Sequence, residues 1–171
     1  MVRTITKDDI NEVRSLGLNI ELIAGFKGAA VISDVIDEAV QKGIPIICIG
    51  GENTGKSTAL KVILSTIPGN HDGVAVDGLK SEADAKLIKN SEIKYAVLHA
   101  YDAREAYNII TCGATEVSPN IMLVELKTEE DGHRTISGIY EIVAIDSGKS
   151  NTLIPIVDVH KERFRKINEI N

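Results

Sequence analysis

The spacing of apolar residues predicts two amphipathic helices in the N-terminal part of the chain. The first helix begins after a capping-box pattern at Thr6 and Asp9, carries an apolar residue at every third position and ends at Gly17. The second covers residues 29–42, where apolar residues recur three and four positions apart, and it ends at Gly43. Each helix is expected to bury its apolar stripe against a neighbouring element.

Short apolar runs predict strands that alternate with further helices. The continuous run Ile44–Ile49 lies between glycines and is typical of a strand buried on both faces. Two more strands are predicted, over residues 74–76 and 95–98, and three more helices, over 56–67 and after the capping residues Ser81 and Asp102. Alternating helices and strands predict a parallel sheet that is covered on both faces.

The last third of the chain changes to a pattern that favours antiparallel strands. Residues 121–126 and 135–143 are strand-like, and the turn-forming residues 129–132 separate them, which predicts a β-hairpin. Residues 153–157 are expected to add a third antiparallel strand, in which Pro155 favours an edge position.

Composition and charge narrow the class of protein. The 171 residues are 43% hydrophobic and 26% charged, values that exclude a disordered chain and a collagen. The net charge of −6 argues against a broad nucleic-acid surface, so a nucleic acid partner is not expected. The two cysteines, Cys48 and Cys112, are interpreted as buried thiols of a reducing compartment. With no apolar run long enough to span a bilayer and no apolar leader segment, we expect a cytoplasmic protein.

The sequence of residues 50–57 fits the phosphate-loop pattern G-x-x-x-x-G-K-[ST] at every fixed position. Its glycines allow the backbone amides to turn toward a phosphate, and the helix that begins near Lys56 directs its positive end to the same place. Lys56 is expected to neutralise phosphate charge, and Ser57 to ligate Mg²⁺. The residues predicted to bind the nucleotide are Gly50, Gly51, Glu52, Asn53, Thr54, Gly55, Lys56, Ser57 and Thr58.

Polar residues near the ends of the next two strands are candidates for the chemistry. Asp77 follows the strand over 74–76 and is predicted to hold Mg²⁺ with Ser57 or to orient the attacking water, with Glu82 as a weaker candidate for that work. His99 follows the strand over 95–98, at the sheet edge where ligands collect, and can sense the terminal phosphate. Each of these residues also has a plain structural interpretation, as a turn or surface residue.

Two arginines are further candidates outside the phosphate loop. Arg104 and Arg134 can each bind phosphate or lie at a subunit interface, although a solvated surface charge is the simpler interpretation of both.

With these residues identified, the chain resembles the secretion ATPases of type II and type IV systems, which include conjugation and pilus-assembly motors. Their phosphate loop usually reads GGTGSGKT, and residues 50–57 occupy that place. Asp77, followed five residues later by Glu82 and Ala83, is similar to their Walker B segment. Residues 97–106 are similar to their histidine box, and the hairpin with Arg134 is similar to their closing strands.

The resemblance implies a P-loop NTPase (RecA-like) fold, with a three-layer αβα arrangement, a mainly parallel sheet and a C-terminal antiparallel hairpin extension. It implies ATP with Mg²⁺ as ligand, partners in a secretion or conjugation machinery, a homo-oligomer that is a hexamer in the family, and an inner-membrane location reached through partners. The domain assignment is a short helical extension over 1–28, the NTPase domain over 29–157 and a C-terminal helix or tail over 158–171. Apolar residues at Phe164, Ile167 and Ile170 indicate that terminal helix.

Two functions remain open from the sequence. The first is an ATPase in which Lys56, Ser57, Asp77 and His99 act on a bound nucleotide. The second is a nucleotide-responsive binding module with little or no hydrolysis. The sequence departs from the family at Asp77, where a glutamate is usual, and lacks the family's acidic Asp box between Lys56 and Asp77. These departures favour the second function over an efficient motor, and we expect nucleotide binding with slow hydrolysis.

Overall fold

The computed structural model describes residues 2–24, 26–111, 120–158 and 163–164. Its helices are α1 (Lys7–Ser15), α2 (Ile20–Ala24), α3 (Phe26–Gln41), α4 (Lys56–Ser65), α5 (Glu82–Lys89) and α6 (Ala103–Thr111). Its strands are β1 (Arg3–Thr4), β2 (Ile46–Gly50), β3 (Ala75–Leu79), β4 (Tyr95–Leu98), β5 (Ile121–Thr128), β6 (Arg134–Ile145), β7 (Ser150–Asp158) and β8 (Arg163–Phe164).

These strands form one mixed sheet in the order β1-β3-β4-β2-β5-β6-β7-β8. The four central strands, β3, β4, β2 and β5, are parallel to one another. The strands on either side are antiparallel to their neighbours. The predicted α/β class is therefore confirmed, but the sheet is mixed and not mainly parallel, because the C-terminal strands and β1 extend it with antiparallel pairings.

The alternation of side chains along the strands explains why both faces of the sheet are apolar. Successive residues of β2 point to opposite faces: Ile46 and Cys48 pack with α1 to α4, whereas Ile47 and Ile49 pack with α5 and α6. All five residues of β2 are buried. Helices thus cover both faces, and a continuous apolar run is the sequence that such a strand requires.

The predicted N-terminal helix is confirmed, and it is part of the same core as the sheet. The amide of Asp9 donates to Thr6 Oγ1 (3.3 Å), and the amide of Thr6 donates to Asp9 Oδ2 (2.8 Å), which completes the capping box. Helix α1 packs on α4, β1 pairs with β3, and Ile5 between them is only 1% exposed.

The prediction that the strand ends at Asp77 is wrong. Strand β3 continues to Leu79, so Asp77 and Gly78 lie inside it, and the pairing with β4 shifts register between Val76 and Leu79. Gly78 has a φ of +96°, which glycine tolerates, so a β-bulge replaces the expected turn. The bulge keeps the strand in the sheet beyond the Asp-Gly pair.

The predicted hairpin and third antiparallel strand are confirmed as β5, β6 and β7. The amide of Gly132 donates to the carbonyl of Glu129 (2.9 Å) in the turn between β5 and β6. The predicted terminal helix does not include Phe164, because Arg163 and Phe164 pair with β7 as β8. The rest of that helix, like Cys112 and Gly113, lies outside the described residues. Within the described part of the chain, no helix has the length and apolarity needed to cross a membrane.

Cys48 provides a chemical test of the central strand. Burial raises the pKa of its thiol from an ordinary 9.0 to about 12, and the nearby charge of Asp77 adds to the effect. In a Cys112→Ser background we expect no reaction of native protein with a thiol reagent at pH 8, and reaction of one thiol after unfolding in guanidinium. Rapid reaction of the native protein would contradict a buried β2.

The same pKa shift fixes a dependence of stability on pH. Because the folded thiol holds its proton more tightly than the unfolded thiol, the contribution of Cys48 to stability is complete below pH 9. It is lost as the pH rises toward 12. We expect the alkaline loss of unfolding free energy over this range to be smaller in Cys48→Ala than in the parent, as measured by urea titration.

Candidate functional site

The loop between β2 and α4 is shaped by three residues with positive φ. Gly50 has a φ of +146°, Asn53 of +57° and Gly55 of +85°. Gly55 is the N-cap residue of α4 and makes no side-chain hydrogen bond to the first turn. The amides at the start of α4 therefore lack a side-chain cap from this position, which leaves the positive end of the helix available to an anion.

Close contacts with neighbouring strands fix the start of the loop. The amide of Gly50 donates to the carbonyl oxygen of Ala100 (2.9 Å), beyond the end of β4. A Cβ atom placed on Gly50 would lie 2.4 Å from the carbonyl oxygen of Leu126 in β5 and 2.8 Å from Thr54 Oγ1. Only glycine fits this position, because both the backbone angle and the space exclude a side chain.

Lys56 folds back onto the loop. Its Nζ donates to the carbonyl oxygen of Gly51 at 2.7 Å, and Thr54 Oγ1 donates to the same oxygen at 2.8 Å. Burial lowers the pKa of the Lys56 ammonium, although the negative charges of Asp77 and Glu52 oppose that shift. Glu52 itself is exposed. The loop thus holds a buried cation whose hydrogen bond to one carbonyl can be exchanged for bonds to a ligand.

Ser57 and Asp77 meet although they are twenty positions apart in the sequence. The Ser57 hydroxyl donates to Asp77 Oδ2, and both side chains are partly buried. Strand β4 lies between β2 and β3 in the sheet, so the contact joins the start of α4 to the second strand away. Oxygen ligands of this kind suit Mg²⁺, which usually binds one or two protein groups together with phosphate and water.

His99 follows β4 at the carboxyl end of that strand, whereas Glu82 begins α5. The amide of His99 donates to the carbonyl oxygen of Leu79 (2.7 Å), and its side chain is exposed just after β4. Glu82 is the exposed first residue of α5, and no described residue forms a hydrogen bond or ion pair with its side chain. Thr58 is an exposed residue in the first turn of α4.

A cleft of about 450 Å³ opens beside the loop and includes residues that the sequence did not single out. The ring of Tyr101, which is 73% exposed, lies 3.4 Å from the position of a Cβ on Gly51. Glu125 Oε1 accepts from the amide of Ala103 (2.9 Å), and Ser137 donates to Glu125 Oε2 (3.3 Å). A charged residue inside the apolar run of β5 was the available signal for Glu125; nothing in the local pattern marked Tyr101.

A smaller cavity, of about 230 Å³, lies at the opposite end of α4 from the loop. Its lining includes Leu64 and Ile67, and the buried His71, whose Nε2 lies 3.1 Å from the carbonyl oxygen of Ile67. It is separated from the loop of residues 50–57 by the length of α4, about 15 Å at the usual helical rise. Ligand binding at the two places is therefore distinguishable.

The two candidate arginines occupy different surroundings. Arg104 lies on the exposed side of α6, with its guanidinium carbon 5.3 Å from the centre of the Tyr107 ring. Arg134, at the start of β6, has its Cδ 3.4 Å from the position of a Cβ on Gly55. Arg134 thus lies beside the loop of residues 50–57.

Comparison with known proteins does not assign the chain to a family. No protein-family model matches the chain, and no curated protein matches it. Its function is therefore inferred from the residues and contacts described above.

The close approach of Gly50 to β5 predicts a large loss of stability in Gly50→Ala. We expect the free energy of unfolding to fall by roughly 2–5 kcal/mol, because strain at φ +146° adds to the clash with Leu126. The control Gly73→Ala also has a positive φ but open space around it, and we expect a loss of about 1 kcal/mol there. Equal losses in urea unfolding would contradict the contact with β5.

Proposed function

We propose that this chain binds Mg-ATP in the loop of residues 50–57 and hydrolyses it slowly, as a motor domain of the secretion or conjugation type. The observation that carries the proposal is the contact of Ser57 with Asp77 next to the buried Lys56. These residues are distant in the sequence, and together they supply the cation and the oxygen ligands that a magnesium nucleotide requires.

The residues fit Mg²⁺ and a triphosphate in a simple way. On binding, Lys56 exchanges its bond to the Gly51 carbonyl for bonds to phosphate oxygens, and the amides at the start of α4 donate to the same group. Ser57 and Asp77 would hold Mg²⁺, which neutralises phosphate charge when it is bound. Burial lowers the pKa of Lys56, and an incoming anion would favour its charged form again. Lys56 is therefore well suited to this exchange.

Three residues are candidates to act on the attacking water. Asp77 already accepts from Ser57, so a role in the metal site suits it better than that of a free base. His99 follows β4, the strand that separates the loop from Asp77, and is our candidate for sensing the terminal phosphate. Glu82, which begins α5 and whose side chain forms no hydrogen bond with any described residue, is the weakest of the three.

The strand arrangement supports a P-loop NTPase fold of the RecA-like type. The loop follows a central parallel strand and precedes a helix, and the acid lies on the second strand from it. Ligands of open α/β sheets bind at the carboxyl ends of the strands, where the loop follows β2 and His99 follows β4. The side chain of Asp77, from within β3, meets Ser57 at the start of α4. On the resemblance alone, we also propose assembly into a homo-oligomer that works with secretion or conjugation partners.

A nucleotide-responsive module with little hydrolysis is the second candidate. It is favoured by one observation: the carboxylate of Asp77 accepts a hydrogen bond from Ser57, and no hydrogen bond or ion pair joins the side chain of Glu82 to any described residue. A site built in this way has phosphate and metal ligands, but neither Asp77 nor Glu82 is held by a contact that would orient the attacking water. Binding without turnover is the behaviour expected of it.

Lys56→Met tests the proposal directly. We expect Mg-ATP to raise the thermal midpoint of the parent protein, and this shift and any phosphate release to be lost in Lys56→Met. Lys61→Met is a matched control, because Lys61 is on the same helix but faces Asp9. A shift without phosphate release in the parent would favour the module, and no shift in the parent would contradict both functions.

The metal ligands have a separate test. In Ser57→Ala and Asp77→Asn we expect Mg²⁺ to raise the affinity for ATP less than it does in the parent protein. The first variant removes an oxygen ligand, and the second removes the negative charge of one. Ser65→Ala, at the other end of α4, removes a hydroxyl that donates to the carbonyl oxygen of Val62 and serves as the control. The measurement is ATP titration by calorimetry at several Mg²⁺ concentrations, and an unchanged Mg²⁺ dependence in both variants would contradict the assignment.

A further inference from the structure

We infer that Arg134 of the C-terminal hairpin is a phosphate-binding residue, supplied by the same chain to the polyphosphate held in the loop of residues 50–57. The inference rests on the proposed function. Its structural basis is the position of the Arg134 side chain against Gly55, with Cδ 3.4 Å from the place of a Cβ. Gly55 is the N-cap residue of α4, so the side chain of Arg134 lies against the end of the helix toward which an anion is drawn.

The charges around the loop show why a second cation is needed. Lys56 contributes one positive charge, and Glu52 and Asp77 contribute one negative charge each, both close enough to act on the ammonium of Lys56. These three groups together carry one net negative charge, which opposes the binding of a magnesium polyphosphate. Arg134 adds a positive charge beside Gly55.

The side chain of Arg134 is available for this role. Neither a salt bridge nor a hydrogen bond joins its guanidinium to any of the residues described, and the side chain is exposed. Arg104, in contrast, lies over the ring of Tyr107. An arginine suits phosphate because its planar donors bind two oxygens at once, a geometry that lysine does not reproduce.

The hairpin holds Arg134 in register with the loop. Arg134 pairs with Thr128 across β5 and β6, and Thr128 Oγ1 donates to the carbonyl oxygen of Asn53 (3.4 Å). The backbone of β5 also meets Gly50 through Leu126. The loop and the turn end of the hairpin are thus in contact at several points, so a phosphate bound to both would couple the hairpin to the ligand.

The experiment compares Arg134→Gln with Arg104→Gln, using the full chain and two probes, Mg-ATP and inorganic tripolyphosphate with Mg²⁺. We expect Arg134→Gln to weaken both probes by roughly tenfold to a hundredfold, the effect of losing a charge-assisted contact, and Arg104→Gln to change neither. Arg134→Lys should recover only part of the loss. The affinity of Arg134→Gln should also depend less on salt than that of the parent.

Each other outcome overturns the inference in a different way. Parent-like affinity of Arg134→Gln for both probes would remove Arg134 from the site while leaving the proposed function intact. Loss of ATP affinity alone, with tripolyphosphate unchanged, would place Arg134 on the nucleoside and not on the phosphates. Failure of the parent to bind either probe would overturn the proposed function together with this inference. Equal thermal midpoints of the two ligand-free variants show that both are folded.

Discussion

The burial of β2 in the centre of the sheet is the constraint on which the rest of the site depends. This strand is covered by helices on both faces and is paired with β4 and β5 on its two edges. The chain therefore leaves the sheet at one fixed point, Gly50, where its amide bonds to Ala100 and its backbone lies against Leu126. A rigid exit of this kind allows the following loop to keep its amides in a defined arrangement without a ligand.

The loop brings a positive charge and two negative charges close together. The cation of Lys56 is buried, which is costly, and the carboxylates of Asp77 and Glu52 reduce that cost. The same carboxylates would repel a polyanion, unless Mg²⁺ is bound to Asp77 and another cation lies nearby. Such a site is expected to discriminate between a free phosphate chain and a chain that carries its metal.

Much of the local structure was predictable, because short-range chemistry determines it. The capping boxes at Thr6 and Ser81 and the buried run of β2 are signals confined to a few residues, and the structure confirms them. Strand β1 has only two residues and α2 only five, so neither is long enough to show a periodic pattern of apolar residues in the sequence. The bulge at Gly78 was missed because an Asp-Gly pair is compatible with both a turn and a bulged strand.

The parts of the site that depend on topology could be predicted from the sequence only in part. Sequence could nominate Ser57, Asp77 and Arg134, but the contacts that each of them makes come from the strand order and the hairpin register. Tyr101 and Glu125 line the neighbouring cleft for the same reason.

The central claim is that the loop of residues 50–57 binds a magnesium nucleotide. Its most direct test is a titration of ¹⁵N-labelled protein with Mg-ADP, in which the chemical shifts of the backbone amides are followed by NMR. We predict the largest shifts at residues 51–58; largest shifts at the cavity around His71, or none above background, would contradict it.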